Sequence, residues 1–115
     1  MIKELWTTKK TYKVFSLMIR ERDKACVKCG RISPLDCSHF WTRNNSSTRY
    51  DFDNCDTLCK KCHFEWEHDK QGRYRDFMIR KLGEEDYKKL DIKTHEFMSR
   101  RDAIKEFQDQ YEKNK

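Results

Sequence analysis

The chain has little apolar material: 36% of its 115 residues are hydrophobic and its mean hydropathy is -1.15. Toward the N-terminus the longest purely apolar run is Leu17-Met18-Ile19, too short for a membrane span or the core of a signal peptide. A soluble, cytoplasmic protein is therefore expected. Glycine (three) and proline (one) are scarce, and no internal repeat or low-complexity tract stands out. That leaves a single domain over residues 1–115, with too thin a core to stand on packing alone. Small domains of this kind recruit disulfides, a structural metal or a partner chain. Here the six cysteines point to the first two, and in a reducing cytosol closely paired cysteines are thiolate ligands rather than disulfide partners.

Four of the cysteines form two CxxC pairs, Cys26/Cys29 and Cys59/Cys62. Each pair grips a metal from two points of one tight turn, and two such knuckles make a closed, tetrahedral four-thiolate zinc site. A zinc ion held this way is structural, because no coordination position stays open for chemistry. Cys37 and Cys55 lie outside the pairs and read as small buried hydrophobes with no assigned role.

The formal charge of +6 is unevenly spread: +6 lies between Met1 and Arg31, +1 between Ile32 and Gly83, and -1 between Glu84 and Lys115. Four thiolates on one zinc would bring the folded module nearer to about +4. The excess still favours a polyanionic partner, with Lys9, Lys10, Lys13, Arg20 and Arg22 as a basic track.

Apolar positions at helical spacing predict a helix from Thr8 to Arg22, opened by a threonine N-cap. Leu35 to Trp41 can run extended as a first strand, Asn44 to Thr48 reads as a loop, and Tyr50 to Leu58 follows as a second strand. Lys60 to Lys70 suits a helix that starts at the second cysteine pair. Further helices are expected around Arg73 to Leu82, around Glu84 to Leu90, and after Ser99, whose spacing to Asp102 is that of a capping box. The fold class is thus α+β: a strand, loop, strand, helix core over about residues 23–70, a basic N-terminal helix, and a C-terminal helical extension over about 71–115.

Between the zinc pairs lie His39 at the end of the first strand and Asn54 on the second strand, and His63 directly follows the last zinc cysteine. With Ser38-His39-Phe40, Asp53-Asn54-Cys55 and Leu58-Cys59-Lys60-Lys61-Cys62-His63 in a four-cysteine frame, the sequence resembles the HNH, or ββα-metal, endonucleases. Asp36 to Arg43, Tyr74-Arg75, Arg80-Lys81-Leu82-Gly83 and the closing Tyr-containing helix resemble the lambdoid phage recombination nucleases called Rap or NinG. The resemblance implies a zinc-stapled ββα-metal core, a phage or prophage origin in the host cytoplasm, and cleavage of branched recombination intermediates such as Holliday junctions or D-loops.

Phosphodiester hydrolysis needs an activated water, relief of phosphate charge and stabilisation of the leaving 3′ oxygen. His39 fits the general base, Asn54 a residue that orients it or braces its loop, and His63 a ligand to catalytic Mg²⁺ or Mn²⁺. Much of the HNH superfamily carries Asp immediately before the base, whereas this chain has Ser38. Asp36, on the strand face of Ser38, or Glu67, one helical turn beyond His63, can supply the missing carboxylate. Arg43 and Arg49 bracket the loop as phosphate clamps, with Trp41 or Tyr50 packing on sugar or base. His68 and His95 read as surface residues.

The leading expectation is a metal-dependent DNA endonuclease acting as a homodimer, joined through the apolar faces of its terminal helices, since two symmetric cuts need two active sites. The competing readings are a non-catalytic zinc-dependent DNA-binding module and an HNH nuclease accessory to phage DNA packaging.

Overall fold

Helix α1 (Thr8–Asp23) begins where the Thr7 hydroxyl accepts the Lys10 amide at 3.1 Å, satisfying one of the donors a helix start leaves unpaired. A computed structural model describes residues 4–114. Thr11, Phe15 and Ile19 recur every fourth residue and are fully buried, so this face docks on the rest of the chain. The helix stops at Lys24, whose φ of 64° is left-handed, and the first cysteine knuckle follows.

Two antiparallel strands come next, β1 (Leu35–His39) and β2 (Cys55–Cys59), with Leu35 opposite Cys59 and His39 opposite Cys55. Both are shorter than the pattern predicts. At Phe40 and Trp41 the ladder ends because Asn54 takes over their amides, Phe40 N–H to the Asn54 carbonyl at 2.9 Å and Trp41 N–H to Asn54 Oδ1 at 2.8 Å. Phe52–Asn54 is a 3-10 turn instead of strand, capped by Asp51, whose carboxylate accepts the Asp53 amide. Asn54 therefore sits just before β2 and not on it. The expected loop holds a short helix, α2 (Ser46–Arg49), anchored where the Thr48 and Thr94 hydroxyls meet at 3.0 Å.

Helix α3 (Lys60–Glu67) starts with the Cys59 sulfur accepting the Cys62 amide. It ends before Lys70 because Asp69 turns the chain, accepting the Gln71 and Arg73 amides. Helices α4 (Arg73–Leu82) and α5 (Glu84–Thr94) follow, the latter four residues longer than its pattern predicts. Helix α6 (Arg100–Lys113) is capped by Ser99, whose hydroxyl accepts the Asp102 amide. Among the described residues this is a mixed α+β arrangement of six α-helices and one two-stranded sheet.

The hairpin separates two apolar clusters. One joins Cys26, Leu58, Cys59 and Cys62 to Trp66, Tyr74, Met78 and Leu90. The other packs Phe15 and Ile19 of α1 with Cys37, Cys55 and Phe107. Ile104 and Phe107 of α6 are buried within the chain, and Trp6 meets Tyr111 with ring centroids 5.3 Å apart. Much of the apolar surface of the terminal helices, expected to serve a dimer, packs within the chain, while Leu17 of α1 stays exposed.

Candidate metal centre and active-site cavity

The two knuckles converge as the spacing requires. The sulfurs of Cys26, Cys29, Cys59 and Cys62 all lie within 4.8 Å of one another, with Cys29 and Cys59 at 3.7 Å. Backbone amides point at the sulfurs, Cys29 N–H to Cys26 at 3.4 Å and Cys62 N–H to Cys59 at 3.5 Å. Burial works against the Cys26 thiolate, but amides of Cys59, Cys29 and Lys28 outweigh it and pull the thiol down to about 6. Four soft sulfurs, amide-supported and close enough to share one ion, are a donor set for structural zinc.

Alternation along β1 sends successive side chains to opposite faces. Asp36 and Ser38 point toward α3 and α4: Asp36 accepts from Lys60 at 2.7 Å and from His63 Nδ1 at 3.1 Å, and Ser38 meets the Tyr74 hydroxyl at 3.0 Å. Cys37 and His39 face α1, where His39 stacks on Tyr12 at 6.3 Å and lies 6.0 Å from Phe15.

His39 Nε2 lies 2.9 Å from the Arg49 carbonyl. A carbonyl only accepts, so Nε2 carries the proton and Nδ1 keeps its lone pair. Burial, seconded by the charges of Arg43 and Arg49 and only partly offset by the Arg49 carbonyl, lowers the imidazole to about 4. His39 is therefore neutral at pH 7, a weak base that is always free to accept a proton.

His63 is arranged in a complementary way. Its Nδ1–H donates to Asp36, which leaves Nε2 for a ligand, the carboxylate–histidine pairing that orients metal-binding imidazoles. Burial opposes ionisation of Asp36, but hydrogen bonds from Lys60 and His63 hold its carboxyl below the usual range. Of the two carboxylates expected to replace the missing Asp, Asp36 is engaged by Lys60 and His63, whereas Glu67 lines the same cavity as His63. Among the described residues the groups of three or more ligating side chains within 4.8 Å are the knuckle and Cys37/His39/Cys55; His63 with Asp36 or Glu67 is not one of them.

A cavity of about 520 Å³ runs over the end of β1 and gathers His39, His63, Glu67, Arg43, Arg75 and Tyr12. Its wall includes Ser38, Trp66 and Tyr74. Arg43 lies with its guanidinium 5.2 Å from the Tyr12 ring. Arg49 is absent from the lining and contributes through its backbone. The side-chain hydrogen bonds of Asn54 go to the loop backbone and not to the imidazole. Fully buried, Asn54 donates to the Trp41 and Thr48 carbonyls at 2.9 and 3.1 Å and accepts the Trp41 amide, bracing the loop that carries Arg49.

Other expected contacts are redistributed. Trp41 packs on Phe40 at 4.8 Å and Tyr50 packs against Phe15 at 5.6 Å, so both rings serve the protein's interior instead of standing out for sugar or base. Lys9, Lys10 and Lys13 are exposed on α1. Arg22 leaves the basic track, because its guanidinium donates to the Phe52 and Cys55 carbonyls at 2.8 Å and to Asp23. His68 and His95 are surface residues, as expected.

The family model described as Bacteriophage Lambda NinG protein matches residues 2–115. The chain belongs to the NinG family. No curated protein and no solved structure gives a significant match. Among the described residues no helix is long and apolar enough to cross a membrane.

In this NinG-family chain, sequence reasoning left Arg75, Tyr12 and Asp69 without a place in the site, yet all three line the cavity. The Tyr74-Arg75 pair is visible in the sequence but carries no spacing signal that ties it to His63. A buried polar chain was missed as well: Ser38 bonds Tyr74, Tyr74 reaches Asp56 at 3.3 Å, and Asp56 pairs with Lys81 at 2.8 Å. It shows what the serine before His39 does, which is to anchor α4 to the hairpin.

Proposed function

We propose that this chain is a divalent-metal-dependent DNA endonuclease of the HNH, or ββα-metal, type, acting on branched DNA in phage recombination. The observation that carries the reading is the meeting of His39, His63, Glu67 and Arg43 in one cavity beside a cysteine knuckle fit for zinc. The order β1, β2, α3 supports it, as does membership of a phage family.

His39 Nδ1 takes the proton of the attacking water, while the Arg49 carbonyl fixes the tautomer and Asn54 fixes the loop that presents that carbonyl. His63 Nε2 and Glu67 would hold a divalent ion, with Asp36 orienting the imidazole; such an ion supplies charge relief at the phosphate and at the leaving 3′ oxygen. Arg43 and Arg75, both in the cavity lining, would neutralise the charge of the bound phosphate. Exposed lysines of α1 extend the electrostatic track along the backbone. Paired cuts across a four-way junction would take two copies of the chain, brought together on the DNA or in solution.

The test is cleavage of a synthetic four-way junction and a matched linear duplex with Mg²⁺, Mn²⁺ or EDTA. Junction cutting that needs the ion, and that falls by about 10²- to 10⁴-fold in His39→Ala with DNA binding intact, is expected. Equal cutting of both substrates would remove junction selectivity. No cutting of either, with tight binding retained, would leave a zinc-stapled DNA-binding module.

A further inference from the structure

The two cysteines outside the knuckles are not scattered. Cys37 and His39 share the α1 face of β1, and Cys55 stands opposite His39 in the strand register. The three potential ligand atoms, two sulfurs and one ring nitrogen, all lie within 4.8 Å of one another. We propose that Cys37, His39 and Cys55 form a second, regulatory zinc site, with the fourth position open to water.

Three further observations fit it. His39 donates Nε2–H to the Arg49 carbonyl at 2.9 Å, the same backbone support that fixes the tautomer of metal-ligating histidines and leaves the other nitrogen for the ion. Cys37 and His39 line the cavity, so an ion has a route to a cluster whose third member, Cys55, is fully buried. The charges also balance. Zinc displaces two thiol protons to solvent, and two thiolates cancel its charge, so the occupied centre is neutral among Phe15, Tyr50 and Phe107.

Occupancy removes the lone pair that His39 needs as a base. Zinc beyond the one ion of the knuckle therefore competes with catalysis, and makes the enzyme a sensor of free zinc. That consequence rests on the proposed base role of His39, whereas the binding does not.

The experiment starts from full-length protein carrying one zinc per chain and titrates Co²⁺, reading thiolate-to-cobalt charge-transfer absorbance while metal analysis confirms that the first zinc stays bound. The expected band saturates at one further equivalent, is lost in Cys37→Ala and in Cys55→Ala, and survives in His63→Ala. Circular dichroism identifies any variant that fails to fold, and Cys37→Ala, at the cavity wall, decides the question if Cys55→Ala does not fold. Absence of the band, or its persistence in folded Cys37→Ala, would overturn the site. In a second arm, excess Zn²⁺ at fixed Mg²⁺ abolishes junction cleavage by the wild type and leaves Cys37→Ala active. Should the chain cut no DNA at all, the absorbance still decides whether the site exists.

Discussion

Four of the six cysteines sit in two tight turns, one after α1 and one at the start of α3, where backbone amides point at their sulfurs. The other two lie within the hairpin on its α1 side, packed among Phe15, Ile19 and Phe107 with His39 beside them. Both groups bring potential metal ligands within 4.8 Å, but by opposite routes. Each half of the knuckle is a local turn that needs only its partner half. The strand cluster exists only once β1 and β2 have paired in register. The knuckle is thus assembled from two local turns, whereas the strand cluster is assembled by the sheet.

The largest break in that comparison comes from taking one ligand from each. Cys59→Ala removes a sulfur that also caps α3, and because structural zinc is worth roughly 10 kcal/mol or more to such small domains, loss of the cooperative thermal transition and of bound zinc is expected. Cys55→Ala should instead keep both, at a cost of about 1–2 kcal/mol in urea unfolding. Equal damage from the two substitutions would show that the strand cluster is structural as well.

A smaller effect is expected from Asn54→Ala, which leaves two carbonyls and one amide of the His39 loop without their partner. About 3 kcal/mol of stability should go, and junction cleavage should fall further than DNA binding does. Unchanged cleavage in the folded variant would mean that the loop needs no brace.

The smallest effect lies at the joint between α1 and the hairpin. Burial raises the Asp23 carboxyl, but hydrogen bonds from Arg22 and from the Thr57 amide at 2.9 Å outweigh it and set a folded value below the ordinary one. Its stabilisation is complete above the unfolded pKa and is lost as pH falls through the lower folded pKa. Asp23→Asn should cost about 1 kcal/mol at neutral pH and flatten the acid side of a stability-against-pH curve. A curve parallel to that of the wild type would remove Asp23 from the joint.

Legibility in the sequence follows the range of the interaction. The knuckles, a threonine cap for α1, the Ser99 cap and the helical stripe of α1 were readable because each depends on residues a few positions apart. His39 and His63 stood out from their places at the end of the first strand and directly after the last cysteine. Helix α2 and the 3-10 turn at Phe52 were not, because what anchors them lies far along the chain: Thr94 for Thr48, and Trp41 for Asn54. That Asp36 is engaged while Glu67 lines the cavity was equally hidden, since Lys60 and His63 reach back across more than twenty residues to Asp36.

By itself, then, the sequence determined a small α+β chain with two CxxC pairs that could hold one zinc ion and two histidines near those pairs in sequence, because turn geometry and ligand spacing are encoded locally. Only the tertiary structure decided which way those histidines face, which carboxylate is left in the cavity, and that Cys37 and Cys55 meet at His39. Strand register and helix docking set those distances, and both arise from contacts between residues that no local pattern pairs.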